Sequence, residues 1–326
     1  MPAEFDVVVP TVGRGSLGAL LSALTQELPE SVSVFVVDDR GLPAGGLSMP
    51  DDPRLRVLRS GGRGPAAARN LGWRASSARW VAFLDDDVDL PPGWVQALER
   101  DLAGAGAEAA ASQGVVQVPQ PTWRAPTDWE RNVAGLDGAS WVTADLAVRR
   151  SALEDVGGFD ERFLRAYRED SDLALRLSDH GWSLAQGSRR LRHPVWPAPW
   201  WVSVKLQAGN TYDVLMTRRH GPAWKHRLSS PPGTFRSHRT TVLWGSGALT
   251  ALTLSRFRGT FARTVAAVAG GVWGFRTGRF AWQRIKPGPR TAREIGAMVV
   301  TSVLVPPAAC WHRVRGHLRF RGVGSA

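Results

Sequence analysis

The sequence predicts an α/β protein in which a Rossmann-like domain with a mostly parallel sheet, residues 1–200, precedes an α-helical region, residues 201–326. In the first part, apolar strands alternate with helical patterns, as they do in doubly wound sheets. Residues 1–200 carry 21 basic and 27 acidic side chains, whereas residues 201–326 carry 20 basic side chains and only two acidic ones, Asp213 and Glu294. This change in charge places a domain boundary near residue 200.

Four apolar runs predict buried strands, and helical patterns separate them. The strands are FDVVVPT, VSVFVVDD, RLRVLRS and WVAFLDDD. The segment SLGALLSALTQEL follows the first strand with its leucines on one face, and AAARNLGWRASS precedes the last strand. A later helix, SDLALRLSDHG, is expected to end at Gly181, because glycine is common just beyond a helix C-terminus. In parallel sheets ligands bind beyond the carboxyl ends of the strands, and two of the predicted strands end in aspartates.

A run of three carboxylates, Asp85, Asp86 and Asp87, ends the fourth strand. Like charges at this spacing repel one another, so the run costs free energy unless a cation or several hydrogen-bond donors offset it. One interpretation is a solvated turn before a helix that begins near Trp94. The other is a site for Mg²⁺ or Mn²⁺, since both cations prefer carboxylate oxygens and often keep phosphates as further ligands.

Other candidate residues lie at further strand and helix ends. Asp38 and Asp39 are either turn formers or acceptors of hydrogen bonds from a nucleobase or ribose. Glu169 and Asp170 precede a helix, which their charge would stabilise, and the alternative is a general base that faces the cleft. The imidazole of His193 suits a transition metal such as Mn²⁺. Neither GxGxxG nor GxxxxGK[ST] lies beside these residues, which argues against dinucleotide and P-loop sites.

Seven short elements occur in the order and approximate spacing of the family 2 glycosyltransferases with the GT-A fold. They are VVVPT, VVDD, AAARNLG, WVAFLDDD, VGGFDERF, EDSDLALRL and HP. The chain therefore resembles this family over about residues 5–195, and the resemblance does not extend to the remainder. It implies that a sugar is transferred, with inversion, from a nucleotide-diphosphate donor to an acceptor hydroxyl.

The resemblance also implies which positions bind the donor. Thr11, Asp38 and Asp39 match the nucleoside-binding positions, with an aspartate at the uracil ring, so a UDP- or dTDP-linked sugar is favoured. Arg69 matches a basic residue near the diphosphate. Gly13 departs from the family pattern, because an aromatic residue often stands there, and stacking on the nucleobase is in doubt.

The metal ion and the catalytic base are implied in the same way. Asp85, Asp86 and Asp87 match the DxD region of the family, in which the last aspartate ligates the metal directly and the others hold ribose or metal-bound water. His193 matches a histidine that completes the coordination of Mn²⁺ or Mg²⁺. Asp170 matches the catalytic base, which removes the proton of the acceptor hydroxyl.

The acceptor is expected to be a glycan or a polyprenyl-linked glycan, in the synthesis of a cell-envelope polysaccharide or glycolipid. Trp141 and Asp145 are candidates for the acceptor side, and burial in the core is the alternative for the tryptophan. A glycoside hydrolase would also use paired carboxylates, but it has no need of a nucleoside site. A catalytically inactive nucleotide-sugar-binding or membrane-scaffolding protein on the same fold is the alternative function.

The basic region contains three apolar stretches, each shorter than the roughly 20 residues that span a bilayer. They are TTVLWGSGALTALTL, FARTVAAVAGGVWGF and IGAMVVTSVLVPPAACW. Arginines flank them, and tryptophans recur near their ends at positions 244, 273, 282 and 311. Interfacial helices combine these features and bind anionic headgroups. We therefore expect peripheral or monotopic attachment to the inner face of the cell membrane, with a packed helical domain or an inserted hairpin as alternatives.

Compartment and partner classes are limited by composition. The single cysteine, Cys310, excludes an internal disulfide framework, and the start MPAEFDVVVP lacks the pattern of a signal peptide, so a cytoplasmic location is expected. Nucleic acid is not an expected partner, because the positive charges are interleaved with apolar runs instead of forming a polar stripe.

Overall fold

The computed structural model describes residues 4–41, 45–231 and 233–324. The chain divides into two compact units. The first unit runs to Pro119 and continues from Ala134 to Val195, and the second comprises Gln120–Val133 and the chain from Trp196 onward. The domain boundary near residue 200 stays a prediction, and the structure adds that the segment 120–133 belongs to the second unit.

The first unit is built on a seven-stranded sheet, as the predicted α/β class requires. Its strands are β1 (Phe5–Thr11), β2 (Val34–Asp38), β3 (Leu55–Arg59), β4 (Trp80–Leu84), β5 (Ala109–Gln117), β6 (Asp145–Arg149) and β7 (Ser183–Arg192). They lie in the order β3-β2-β1-β4-β6-β5-β7. The first four are mutually parallel, β6 runs antiparallel to both β4 and β5, and β5 and β7 are parallel. The mostly parallel sheet is confirmed.

Helices cover this sheet, and their positions follow the predicted pattern. They are α1 (Leu17–Glu27), α2 (Pro65–Ala75), α3 (Trp94–Ala103), α5 (Arg150–Val156) and α6 (Glu169–Asp179). Gly181 has φ +84° just after α6, a backbone conformation that favours glycine. Every residue of β1, β2 and β4 is buried, because helices on both faces remove parallel strands from water. The carboxyl ends of these three strands therefore have a rigid base.

The second unit is helical. It contains α4 (Asp128–Val133), α7 (Val202–Lys205), α8 (Asn210–His220), α9 (Trp224–Arg227), α10 (Phe235–Ile285) and α11 (Ala292–Arg319). Asp128 of α4 accepts a hydrogen bond of 2.7 Å from Arg284 Nη2, and the same guanidinium bonds the hydroxyls of Ser203, Thr301 and Ser302. This buried polar cluster attaches the segment 120–133 to the C-terminal helices.

Helix α10 folds back on itself and forms a hairpin of two antiparallel arms. Arg276 donates to Thr241 Oγ1 at 3.2 Å and to the carbonyl of Ser237 at 3.2 Å, although a straight helix would separate residues 237 and 276 by about 58 Å. The rings of His238 and Phe280 lie 5.1 Å apart. The reversal occurs at Gly259, whose φ of +63° suits a residue without a side chain.

Helix α11 differs from the hairpin in its packing. Within the part of the chain that the structure describes, it is the one helix long and apolar enough to cross a membrane, by length and composition only. Its buried face packs on α7, α8 and α10. Thr211 of α8 donates a hydrogen bond of 3.1 Å to the carbonyl of His312, and Arg284 contacts Thr301 and Ser302. The buried face of α11 therefore contacts other helices of the same unit.

Candidate active site

The predicted site residues of the first unit gather where β1, β2 and β4 end. The register pairs Thr11 with Asp38 across β1 and β2. Thr11 Oγ1 donates a hydrogen bond of 2.6 Å to Asp86, a carboxylate that is 2% exposed. Parallel strands deliver their carboxyl ends to one edge of the sheet, which is why residues 75 positions apart meet here.

Arg14 is a site residue that sequence analysis missed. It follows β1, and its guanidinium pairs with Asp86 and, at 3.2 Å, with Asp87. Its side chain is 51% exposed, so the guanidinium is accessible to water. The sequence offered a signal for it, because a basic residue shortly after the Thr11 position lies at the same sheet edge as the triple aspartate. Arg14 supplies part of the positive charge that the three carboxylates require.

Asp85, Asp87 and His193 converge as a possible metal site. One ligand atom from each lies within 4.8 Å of the other two. His193 follows β7, where its backbone N–H donates to the carbonyl of Gln117 at 2.8 Å, and its Nε2 lies 3.5 Å from Asp87 Oδ1. Two carboxylate oxygens and one imidazole nitrogen suit Mn²⁺, and Mg²⁺ through the carboxylates. The donor set therefore fits the predicted divalent cation.

The electrostatic surroundings of Asp87 are consistent with such a cation. Burial raises the pKa of Asp87, the negative charge of Asp85 raises it further, and Arg14 and His193 oppose the change. A bound divalent cation favours the ionised carboxylate. A cation bound at Asp87 would therefore offset both the burial of this carboxylate and its repulsion by Asp85.

Arg69 joins the triple aspartate to the predicted base region. Its guanidinium is 2% exposed and bonds Asp85 Oδ1 at 2.9 Å and Glu169 Oε1 at 2.9 Å. The resemblance placed this residue near the diphosphate, and its role there stays a prediction. The structure also shows that the buried guanidinium of Arg69 binds both Asp85 and Glu169, two carboxylates that lie 84 positions apart in the chain.

Glu169 and Asp170 begin α6, and their environments differ from that of a solvated helix N-terminus. Burial and the charge of Asp170 raise the pKa of Glu169 to about 7, against the effect of Arg69. Burial likewise raises the pKa of Asp170, whereas the N–H of Ser171 lowers it. Oδ1 of Asp170 accepts that N–H at 2.6 Å. A carboxylate with a raised pKa is a stronger base, which suits proton removal.

Asp38 and Asp39, predicted to contact the nucleoside, each have protein partners. Asp38 receives two hydrogen bonds from the guanidinium of Arg40, at 2.8 and 2.7 Å. Asp39 accepts from Ser60 Oγ at 2.6 Å and from the N–H of Gly64. The second contact fixes the glycine-rich turn before α2, where Gly64 has φ +97°. Hydrogen bonds within the protein therefore hold the side chains of Asp38 and Asp39 in place.

Asp145 does not lie on an acceptor surface, contrary to the sequence-based expectation. The residue is 0% exposed, and its carboxylate accepts from Arg189 Nε at 2.7 Å and from Trp94 Nε1 at 2.9 Å. Arg189 is itself buried, so this pair stabilises the sheet interior. Trp141 packs partly buried against the core, as the alternative interpretation expected. A strand residue flanked by apolar neighbours gave no signal that a buried arginine would pair with it.

Comparison with a family model and with known proteins finds similarity to glycosyltransferases. Residues 6–143 match the model of glycosyl transferase family 2. A pre-mycofactocin glycosyltransferase of Mycobacterium tuberculosis (strain CDC 1551 / Oshkosh) is 35% identical over 130 residues, which cover 36% of this chain and 27% of the relative. An N-acetylglucosaminyl-diphospho-decaprenol L-rhamnosyltransferase of the same strain is 29% identical over 227 residues, covering 56% of this chain and 73% of the relative. This chain thus spans about a quarter of the first relative and about three quarters of the second.

A solved structure extends the likeness beyond the matched sequence. It is a mannosyltransferase of Pyrobaculum calidifontis in complex with GDP-Man and Mn²⁺, with a TM-score of 0.54 and 15% identity. The likeness covers 95% of this chain and 87% of that chain. At this identity the likeness concerns the fold, and it agrees with the predicted GT-A architecture.

Proposed function

We propose that this chain, whose residues 6–143 match the model of glycosyl transferase family 2, transfers a sugar from a nucleotide-diphosphate donor to an acceptor hydroxyl, with metal dependence and inversion. The observation that carries the proposal is the convergence of Asp85, Asp87 and His193, with Arg69 connecting Asp85 to the residue before Asp170. A metal site and a candidate base therefore share one edge of the sheet.

The metal site would hold the donor diphosphate. Mn²⁺ or Mg²⁺ bound by Asp85, Asp87 and His193 supplies Lewis-acid stabilisation of the negative charge on the departing nucleoside diphosphate. In this proposal Arg14, whose side chain is 51% exposed, contacts the phosphates of the donor. Asp86, which accepts a hydrogen bond of 2.6 Å from Thr11, would hold the ribose or metal-bound water.

Asp170 acts as the general base in this proposal. It accepts the proton of the acceptor hydroxyl while that oxygen attacks the anomeric carbon opposite the leaving diphosphate. One carbon–oxygen bond forms as the bond to the phosphate oxygen breaks, so the anomeric configuration inverts in a single displacement. The raised pKa of Asp170 strengthens its basicity.

Donor and acceptor classes follow from the same reasoning. A UDP- or dTDP-linked sugar is the favoured donor. Asp38 and Asp39 would lie near its nucleobase and ribose. Arg69, through its bond to Asp85, would act near its diphosphate. The acceptor is the hydroxyl of a glycan or of a polyprenyl-linked glycan in cell-envelope synthesis. The name of the decaprenol-linked rhamnosyltransferase, 29% identical to this chain, supports a lipid-linked acceptor.

The proposed location is the cytoplasmic face of an anionic membrane. Helix α11 exposes an apolar stripe at helical spacing, formed by Val299, Val303, Leu304, Trp311 and Leu318. The surrounding region carries 20 basic and two acidic residues. An exposed apolar stripe with basic neighbours is the pattern of a helix that lies in the membrane interface.

Thermal unfolding of the full chain with nucleoside diphosphates and Mn²⁺ tests the donor assignment. We expect Tm to rise with UDP or dTDP only when Mn²⁺ is present, because a ligand that binds the folded state stabilises it. Asp87→Ala should abolish the rise, whereas Asp89→Ala, at an exposed neighbouring position, should retain it. A metal-independent rise in both variants would remove the metal from the proposal, and no rise with any nucleotide would remove the donor.

A further inference from the structure

The hairpin formed by α10 has its packing inverted relative to a helical hairpin in water. In water, large apolar side chains fill the contact between helices and polar side chains face the solvent. Here the buried residues of the hairpin are mostly small. Ala251, Ala262, Ala269 and Ala281 are each at most 8% exposed.

Close approach of the arms depends on glycine. A Cβ placed on Gly245 would lie 2.8 Å from Cδ1 of Trp273 in the opposite arm, a distance that real Cβ atoms do not show. A Cβ on Gly270 would lie 4.0 Å from that of Ala248. Small residues at helix contacts are characteristic of helices packed in lipid, where large apolar groups gain nothing by leaving the acyl chains.

The large apolar side chains of the hairpin point outward. Leu249 is 67% exposed, Phe257 is 86% exposed and Phe261 is 79% exposed. Further outward residues along both arms are Leu243, Leu252, Val268 and Phe275. A continuous exposed apolar surface of this kind marks an interaction with another apolar phase.

Four hydroxyls on the arms have hydrogen-bond partners within their own helix. The hydroxyls of Thr240, Thr253, Ser255 and Thr264 each donate to a carbonyl three or four residues earlier in the same helix. In hydrocarbon every polar group needs such an internal partner. These four hydroxyls therefore already have the bonding that a nonpolar surrounding requires.

Charged residues are confined to the ends of the arms. Residues 240–255 and 264–275 contain none, and at about 1.5 Å per residue they extend about 24 and 18 Å. Arginines at 236, 239, 276 and 279 flank the base of the hairpin, and those at 256 and 263 flank its apex. Arginine side chains extend towards headgroups from such positions and lengthen the span.

We propose that the α10 hairpin is inserted into the hydrocarbon of an anionic bilayer, with its outward apolar side chains among the acyl chains and its arginines at the headgroups. This assigns the acyl chains as the partner of the outward surface of Leu249, Phe257 and Phe261. The proposal rests on the membrane location proposed above and deepens it from surface attachment to insertion. It does not depend on the sugar-transfer chemistry.

Fluorescence of labelled full-length protein on vesicles tests the proposal. In a Cys310→Ser background, Leu249→Cys carries an environment-sensitive NBD label, and Val57→Cys, on an exposed strand of the first unit, is the matched control. With phosphatidylcholine–phosphatidylglycerol vesicles we expect a blue shift and a several-fold rise in NBD emission at position 249, and quenching by lipids brominated on the acyl chains. Position 57 should show neither change.

Salt resistance supplies the second measurement. Wild type should stay bound to the vesicles in high salt, whereas Leu249→Arg/Leu252→Arg should bind only at low salt, because the added cations oppose insertion and strengthen headgroup attraction. Val57→Arg should behave as wild type. Release of wild type by salt, or an unchanged label at position 249, would overturn the proposal in favour of surface attachment.

Two further outcomes have distinct meanings. A blue shift at position 249 without vesicles, insensitive to brominated lipid, would show that a second copy of the chain covers the hairpin and would also overturn the proposal. Asp170→Asn should insert as wild type does. Absence of nucleotide-dependent stabilisation in wild type, together with intact insertion, would count against the donor assignment alone.

Discussion

The sheet edge of the first unit and the α10 hairpin of the second bury opposite kinds of side chain. At the sheet edge, charged groups such as Arg69, Asp86 and Glu169 are each 2% exposed. In the hairpin, alanines fill the interior while Leu249 and Phe257 face outward. Buried charge is tolerated in the first case because each group has a charged or hydrogen-bonding partner. Exposed apolar surface is tolerated in the second only if the surrounding medium is itself apolar.

The difference shows that the exposure of a side chain indicates a missing partner only when its polarity is considered as well. Sites that hold charges in a dry interior are costly to build, and they persist where function requires a cation or a base. Leucine and phenylalanine side chains that face outward also cost free energy in water, because their apolar surface is exposed to it. We therefore propose that both regions bind a partner outside the chain, a divalent cation with its donor for the one and lipid for the other.

Loss of the base should have the largest effect. Asp170→Asn keeps the size and hydrogen bonding of the side chain but removes its ability to accept a proton, so we expect kcat to fall by about 10²–10⁴-fold with donor binding retained. Asp179→Asn, at the far end of the same helix, is the control. Turnover in Asp170→Asn equal to wild type would assign the base elsewhere, with Glu169 as the first candidate.

Removal of the buried guanidinium should have the next largest effect, on stability. Arg69→Met leaves Asp85 and Glu169 without their shared partner, and we expect the free energy of unfolding to fall by about 3–5 kcal/mol. Arg74→Met removes a half-exposed arginine from the same helix and should cost less than about 1 kcal/mol. Urea unfolding measures both. Equal losses would show that the buried position carries no special role.

Overpacking the hairpin contact should have a smaller effect. Gly245→Leu places a side chain where Trp273 Cδ1 would lie 2.8 Å from the new Cβ, and we expect a loss of about 1–3 kcal/mol with separation of the arms. Gly247→Leu, in the same arm with open space around it, should preserve Tm in detergent. A Tm in Gly245→Leu equal to that of Gly247→Leu would argue that the arms do not pack closely.

The pH dependence of stability should reflect the raised pKa of Glu169. The folded protein retains the proton of Glu169 to about pH 7, whereas in the unfolded chain a glutamate releases it near 4.3. The folded state therefore binds more protons between these values, and the free energy of unfolding should decrease as pH rises through this range and then level off. Glu169→Gln should lose this decrease, and Glu154→Gln, half-exposed on α5, should retain it. An identical pH profile in wild type and Glu169→Gln would exclude a raised pKa.

Local pattern in the sequence determined much of the first unit. The alternation of apolar strands and helices predicted the mostly parallel sheet, because burial on both faces makes such strands continuously apolar. Strands that end in Asp38 and Asp85 indicated one ligand-binding edge, since parallel strands end together. The convergence of Asp85, Asp87 and His193 was also predicted, through the family resemblance, and the structure places one ligand atom of each within 4.8 Å of the others.

Only the tertiary structure decided which side chains pair across long sequence distances. The partners of Asp145 and Asp86, the buried Arg189 and the half-exposed Arg14, lie on other elements, and no local pattern specifies which elements meet. The packing of α10 was also beyond the sequence, although its residues 240–254 and 261–275 were visible as apolar stretches. A helix shows its own periodicity in sequence, but which face meets another helix depends on the reversal at Gly259, and that reversal puts alanine inside and leucine outside.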